Sequence, residues 1–257
     1  MKEIGLNLYS VRNLIENEDN FLQTATKLKE MGYSFMQYSG GPYDPDMIAR
    51  VSQKTQMPIC LTHVDMSRII DDTDALMKEH EKFGCKYIGL GAMPHEAVLD
   101  FDLCKKTVEQ LNAAGEKMAK NGFAFFYHHH NYEFFKHNGQ TVFDYMIENA
   151  PYINFTADTY WLQFGGVSVV DTLKRLKGRI ACVHLKDYSQ VYDYDIKRFV
   201  PTICPVGDGV LDFKAITSAM QTLGVEYYLV EQDNAAKMPD TLNQVQRSID
   251  YIRKELK

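Results

Sequence analysis

The sequence predicts an α/β fold, a single (β/α)8 barrel spanning residues 1–257. Three observations predict it. Short apolar runs alternate with longer amphipathic ones from end to end, the short runs number eight, and no glycine-rich phosphate loop follows the first of them. Strict alternation of strand and helix means right-handed βαβ units and a parallel sheet covered by helices. Eight such units in about 250 residues suit closure into a barrel. An open doubly wound sheet would carry a GxGxxG or Walker pattern after its first strand. Here that strand runs instead into Leu8-Tyr9-Ser10-Val11-Arg12.

The expected strands are residues 4–9, 35–38, 59–63, 87–90, 124–130, 154–158, 180–185 and 227–231. Helical patterns lie between them. Residues 21–31 place Phe21, Leu22, Ala25 and Leu28 on one face and stop at Gly32, a C-cap residue. Residues 47–56 follow the turn residues Gly40, Gly41, Pro42 and Pro45. Residues 72–83 open on two acids that suit a helix N-terminus and end at Gly84. The patterns at 99–121, 141–148, 169–177, 213–223 and 239–256 repeat the theme. The longest stretch without a periodic pattern is 187–212, rich in Tyr, Asp, Pro and Gly. It follows the seventh strand, on the face where barrel enzymes build their sites, and a loop of that length is usually functional or mobile.

Composition narrows the function. Hydrophobic residues make up 45% and charged residues 24% of the chain, which excludes general disorder. The formal charge of −6 and the absence of Lys/Arg runs argue against a partner that binds through its phosphates, so no nucleic acid is expected. No apolar stretch approaches the roughly 20 residues that span a bilayer, and MKEIGLNLYS has no sustained apolar core of a secretion signal. The five cysteines are scattered, without a CxxC, and read as reduced. A cytoplasmic location follows as the expectation. Whether the chain forms a homo-oligomer is left open.

Costly polar residues stand at the ends of the strands. Strand three ends in Thr62-His63, strand five in Tyr127-His128-His129-His130 followed by Glu133, and strand six in Asp158-Thr159-Tyr160-Trp161. Strand seven ends in His184-Leu185-Lys186-Asp187 and strand eight in Glu231-Gln232-Asp233. Each has a plainer alternative: an acid after a strand is commonly a helix N-cap, and a single His such as His63 commonly packs and hydrogen-bonds. His80, His95 and His137 read as surface residues. The constellation is stronger than its parts. Asp158, His184 and Glu231 end three successive strands, so closure gathers them over one mouth. A fourth group from strand five completes a mixed nitrogen and oxygen set, suited to a catalytic divalent ion such as Mn²⁺, Co²⁺, Zn²⁺ or Mg²⁺. Side chains alternate along a strand, so His128 and His130 are assigned to the interior and His129 to the helical side.

The motifs Leu8-Tyr9-Ser10-Val11-Arg12, Tyr127–Phe134, Asp158 with Trp161, Val183–Asp187, Pro205–Gly209 and Val230–Asp233 together resemble the xylose-isomerase-like TIM-barrel superfamily. Within it, the likeness is to the branch of sugar phosphate isomerases/epimerases, whose relatives include inosose dehydratase and keto-sugar epimerases. It covers essentially the whole chain. The resemblance implies a metal held at the ends of strands five to eight, and Asp158, His184 and Glu231 match directly. Many relatives place a Glu at the end of strand five. Here His128 takes that register, so His128 is the expected fourth ligand, with His130 and Glu133 as alternatives. Relatives also often carry a Glu near the end of strand two, where this chain has Gln37, and no acid–base role is expected from that strand.

Such a site polarises a carbonyl and its neighbouring hydroxyl and stabilises the enediolate formed when a proton leaves the adjacent carbon. The expected reaction is isomerisation or epimerisation of a sugar, keto-sugar or sugar phosphate, with dehydration or elimination on an inosose or 3-keto-glycoside as the runner-up. Glu231 is the first candidate for proton transfer, as the likeness to the epimerases suggests; Glu133, His130 and Lys186 are the others. For Lys186 the alternatives are an oxyanion partner or an ion pair with Asp187. Tyr9, Arg12, His63 and Trp161 are candidate substrate contacts, with core packing or a surface ion pair as the alternatives for Tyr9, Trp161 and Arg12. Gly207-Asp208-Gly209 is a faint phosphate-site signal. Two other readings compete: a phosphodiesterase resembling the endonuclease IV branch, which needs a trinuclear zinc cluster, and a sugar-binding barrel without chemistry.

Overall fold

The apolar runs are short and buried on both faces, as strands must be when helices cover one side of a barrel and side chains fill the other. In the computed structural model, which describes residues 3–256, they form β1 (Gly5–Asn7), β2 (Phe35–Tyr38), β3 (Ile59–His63), β4 (Tyr87–Leu90), β5 (Ala124–His128), β6 (Ile153–Asp158), β7 (Cys182–Leu185) and β8 (Tyr227–Val230). Each pairs in parallel with its neighbours along the chain. Pairing of β8 with β1 closes the sheet, so the fold is the expected (β/α)8 barrel. Among the described residues, no helix is long and apolar enough to cross a membrane.

Local chemistry sets the helix boundaries. Asn17 accepts from the Asn20 N–H to start Glu18–Met31, and Gly32, in the left-handed region at φ 100°, ends it. Asp44 and then Pro45 open Pro45–Thr55. The helix expected over 99–121 is Phe101–Lys120, and a separate short helix, His95–Leu99, precedes it. Asp100 ends His95–Leu99 and turns its carboxylate onto the N–H groups of Asp102 and Leu103, restarting the chain as Phe101–Lys120. Likewise Thr73–Glu81 is preceded by a separate turn of helix, Met66–Asp71. The first strand is shorter than expected because residues Leu8–Leu14 coil into a 3-10 segment capped by the Asn7 side chain.

Two further expectations are corrected. His80 is not a surface residue but fully buried. Its helix turns it toward β3, where Nε2 meets the Thr62 hydroxyl at 2.7 Å and Nδ1 the Leu76 carbonyl at 2.8 Å. The stretch 187–212 is not irregular throughout, since Asp187–Asp193 and Arg198–Cys204 form an antiparallel hairpin. Its residues lie in no single buried face, which removes the period-two signal that marks a half-buried strand.

Asp187 anchors that hairpin rather than pairing with Lys186. Its carboxylate accepts backbone N–H groups from Tyr188, Gly207, Gly209 and Leu211 at 2.8–3.2 Å. The amides of Gly207 and Gly209 are therefore committed to a carboxylate of the same chain, which removes the phosphate reading of that loop. Gly209 must be glycine, because a Cβ there would run into the Asp187 carboxylate and the Tyr188 carbonyl. Asp187→Ala leaves four N–H donors without their acceptor. At about 1–3 kcal/mol for each donor that stays buried, the loss is expected to total roughly 3 kcal/mol or more. The melting temperature then falls by about 6–12 °C, measured by circular dichroism beside protease sensitivity of the 187–212 segment. An unchanged melting curve would remove the anchoring role.

Candidate metal centre

The barrel interior is stacked in layers. Phe35, Leu61, Phe126, Cys182 and Leu229 form a buried apolar cluster. Gly5 belongs to the same level, and a Cβ there would collide with the Phe35 ring and Leu229. Two residues further along those strands the alternation brings up Asn7, Gln37, His63, His128, His184 and Glu231 as a polar layer. The register Asp158↔His184, with Leu229 opposite His184, puts Asp158 and Glu231 beside the imidazole. Pairing of His128 with Thr156 brings β5 into line. The β4 chain adds no side chain here. It runs through Gly91, which leaves room for the His63 ring and offers its carbonyl to His128.

One donor atom from each of His128, Asp158, His184 and Glu231 lies within 4.8 Å of the others, and all four residues are buried. Asp158 Oδ2 is 3.4 Å from His128 Nε2 and 3.8 Å from His184 Nδ1. Glu231 Oε2 is 3.9 Å and 2.6 Å from the same two nitrogens. The other nitrogen of each ring is held from behind. His128 Nδ1 donates to the Gly91 carbonyl at 3.0 Å, and His184 Nε2 donates to Gln37 Oε1 at 2.6 Å. Both rings are thereby turned so that Nε2 of His128 and Nδ1 of His184 face the carboxylates, the orientation of metal-ligating histidines. His184 Nδ1 and Glu231 Oε2 are buried without a properly directed hydrogen-bond partner. A group that accepts from both atoms' lone pairs fits there, and a divalent cation is such a group.

The charges are partly offset within the chain. Lys186 is buried, with Nζ 2.9 Å from Asp158 Oδ2, 3.0 Å from Glu231 Oε2 and 3.0 Å from Asp233 Oδ1. Burial works against the charge of both site carboxylates. The Lys186 ammonium and the histidines outweigh it for Asp158, as His184 and Lys186 do for Glu231, and both stay well below the usual carboxylate range. Burial pulls His184 toward neutrality, but Glu231 and Asp158 lift it to about 9. Asp158 divides its two oxygens between a helix and the cluster. Oδ1 accepts from Trp161 N at 2.9 Å as the cap of the helix Thr159–Phe164, while Oδ2 faces the cluster.

Above this layer lies a cavity of about 330 Å³ whose walls include Tyr9, His63, His128, His130, Lys186, Glu231 and Asp233. His129 points the other way. Its ring packs on Phe143 and its Nε2 accepts from Asp158 N at 3.1 Å, as the alternation requires. His130 stacks on Tyr132, and Nδ1 accepts from the Tyr132 hydroxyl at 3.0 Å. Burial lowers His130 to about 2, so it is a neutral ring with Nε2–H left to donate. Arg12 and Trp161 are not in the cavity wall. Arg12 Nη1 is committed to the carbonyls of Tyr9 and Asp233 at 2.7 and 3.0 Å, and its guanidinium lies over the Tyr9 ring. Trp161 sits behind His130 and under the Lys186 ammonium. A larger groove of about 480 Å³, walled by Leu99, Phe135 and Phe164, holds none of the four clustered groups.

Glu133 also lies outside the cavity wall. Its two oxygens accept from the Tyr127 hydroxyl at 2.5 Å and from His130 N at 2.8 Å. Burial raises it from the ordinary 4.5 to about 7 against those two hydrogen bonds. The unfolded chain releases this proton near 4.5 and the folded chain near 7. The stabilising contribution is complete below about pH 4.5 and is lost as pH rises through about 7. It amounts to on the order of 3 kcal/mol. Glu133→Gln is expected to flatten the fall in melting temperature between about pH 5 and 7. An unchanged slope would assign that fall to other groups.

Sequence reasoning missed three contributors. Asn7 donates from Nδ2 to Glu231 Oε1 at 2.7 Å, Asp233 shares Lys186, and Gln37 orients His184. Neutral amides at strand ends carry no signal by residue type. Asp233 had one, a second acid two residues past Glu231.

Residues 25–255 match the model of the xylose isomerase-like TIM barrel family. An inosose dehydratase from Clostridium perfringens is 24% identical over 257 aligned residues, covering 86% of each chain. A sugar phosphate isomerase/epimerase from Parabacteroides distasonis superposes with a TM-score of 0.77 at 18% identity, over 99% of this chain and 94% of the other. A xylose isomerase-like barrel protein from Mycobacterium smegmatis, in complex with magnesium, gives 0.70 at 14% identity, over 98% and 95%.

Proposed function

This chain belongs to the xylose isomerase-like TIM barrel family, and from that premise we propose that it is a metal-dependent isomerase or epimerase of a sugar, keto-sugar or sugar phosphate, working through an enediolate. The observation that carries the reading is the convergence of four buried donor atoms from His128, Asp158, His184 and Glu231 beside a cavity of sugar size. His128, Asp158, His184 and Glu231 would hold the cation, with Gln37 and the Gly91 carbonyl fixing the rings. When bound, a divalent cation such as Mn²⁺, Co²⁺, Zn²⁺ or Mg²⁺ supplies positive charge for the carbonyl oxygen and neighbouring hydroxyl of the substrate.

The chain's own groups do the rest. Glu231, ionised and steadied by Asn7, takes the proton from the carbon beside the carbonyl and in isomerisation returns it to the former carbonyl carbon, whereas epimerisation needs a second acid to reprotonate the same carbon from the opposite face. Lys186 neutralises the oxyanion. His130 donates from Nε2–H to a substrate oxygen, and Tyr9 and His63 wall the cavity. Glu133 acts as a positioning residue, holding the loop that carries His130. Arg12 holds Tyr9 and Asp233 in place.

A second reading rests on the inosose dehydratase relative. The same proton abstraction followed by loss of a β-hydroxyl is a dehydration. The phosphodiesterase reading has less support, since among the described residues one group of potential ligands is found rather than the set a trinuclear cluster needs. The test is elemental analysis of the purified protein, then solvent-deuterium incorporation into keto-sugars and inososes. Metal-dependent incorporation with the carbon skeleton retained supports isomerase or epimerase chemistry, and release of water supports the dehydratase. Absence of both with every substrate would overturn the enzymatic reading.

A further inference from the structure

We propose that Lys186 is a displaceable counter-ion of the metal centre, bound to two of the cation's own ligand oxygens and passed to Asp233 when a cation binds them. The inference rests on the metal-centre reading above. Two of the three oxygens around Nζ, Asp158 Oδ2 at 2.9 Å and Glu231 Oε2 at 3.0 Å, are the oxygens that face both ligand imidazoles. The third, Asp233 Oδ1 at 3.0 Å, lies outside the four-atom donor set.

An ammonium and a divalent cation sharing two buried oxygens repel each other, and burial weakens the screening of that repulsion. Lys186 has a flexible four-carbon stem, so release from Asp158 and Glu231 requires no backbone movement. Asp233 is already within hydrogen-bond distance to receive it. Its backbone is pinned by Arg12 Nη1 on the Asp233 carbonyl, and its side chain is 29% exposed where it meets the cavity. The arrangement serves both states. Where no cation is bound, the ammonium holds together two carboxylates that would otherwise repel. In the loaded site it is held by Asp233 at the cavity wall, where a substrate oxygen can meet it. Lys186 thus weakens cation binding in exchange for a preformed site.

The experiment measures Mn²⁺ affinity of the full-length protein by competition with a chromophoric chelator, without substrate. Lys186→Met is expected to bind Mn²⁺ about tenfold or more tightly than the wild type, because a competing charge is gone. Asp233→Asn is expected to bind it about fivefold or more weakly, and that penalty is expected to shrink in the Lys186→Met background, since the two residues act as a pair. Lys186→Gln, which keeps a donor without the charge, gives the same comparison if Lys186→Met is unstable by circular dichroism. Wild-type binding with equal or weaker binding by both Lys186 variants would overturn the counter-ion role and leave the metal centre standing, as would an Asp233→Asn penalty that is the same in both backgrounds. Failure of wild type and variants alike to bind Mn²⁺ or Zn²⁺ would overturn the metal centre itself.

Discussion

Glu231→Gln is expected to abolish proton exchange beside the substrate carbonyl while leaving the barrel folded. Glutamine keeps an oxygen for the Asn7 side chain, which now donates to Glu231 Oε1 at 2.7 Å. In place of Oε2 it puts an amide N–H₂ against Lys186 Nζ and His184 Nδ1, both within 3.0 Å of that atom. The substitution thus removes a negative ligand and a base and adds a donor beside the Lys186 ammonium. Loss of a general base costs about 10²–10⁴-fold in rate, and loss of the cation costs more. The stability penalty is moderated because Lys186 keeps Asp158 and Asp233. The checks are a deuterium-exchange assay on a turned-over keto-sugar, metal content, and circular dichroism of the same preparation. Wild-type exchange by a folded Glu231→Gln protein would exclude Glu231 from catalysis.

At Asp158 the two oxygens permit a separation of binding from folding. Asp158→Asn retains Oδ1 as the cap of Thr159–Phe164 but replaces the charged Oδ2 that faces Lys186, His128 and His184. Mn²⁺ affinity is expected to fall by about 100-fold or more, since a carboxylate ligand is exchanged for a neutral amide. Asp158→Ala is expected to lose that affinity equally and about 1 kcal/mol of stability beyond the Asn variant, the usual worth of a cap. Metal titration and thermal melting of both variants read the two effects. Affinity close to the wild type in Asp158→Asn would remove Asp158 from the ligand set.

How far the sequence reached follows from what each residue type reveals. A carboxylate or imidazole directly after a run of buried apolar residues is costly without compensation. That cost made Asp158, His184 and Glu231 legible, and period-two alternation separated His128 and His130 from His129. By residue type Arg12 and Trp161 suit binding or stacking on a sugar as well as an ion pair or core packing, and their partners are the Tyr9 and Asp233 carbonyls, His130 and Lys186. Asp187 follows Lys186 in the chain but projects to the opposite face, into the four amides of the hairpin base.

By itself, then, the sequence determined the alternation of eight strands with helices, closure into a barrel, and the strand ends on which polar groups are gathered. These depend on periodicity and burial, which are local properties. Only the tertiary structure decided which atoms face one another. Asn7 meets Glu231 across 224 residues of chain, and Gln37 meets His184 across 147. Lys186 is set among three carboxylates from the ends of two other strands and the segment beyond one of them. Such pairings are fixed by the stagger of strands around a closed sheet. A hydrogen bond or an ion pair is sensitive to displacements of less than an ångström, and the spacing of residues along one strand carries no information on that scale about its neighbours across the barrel.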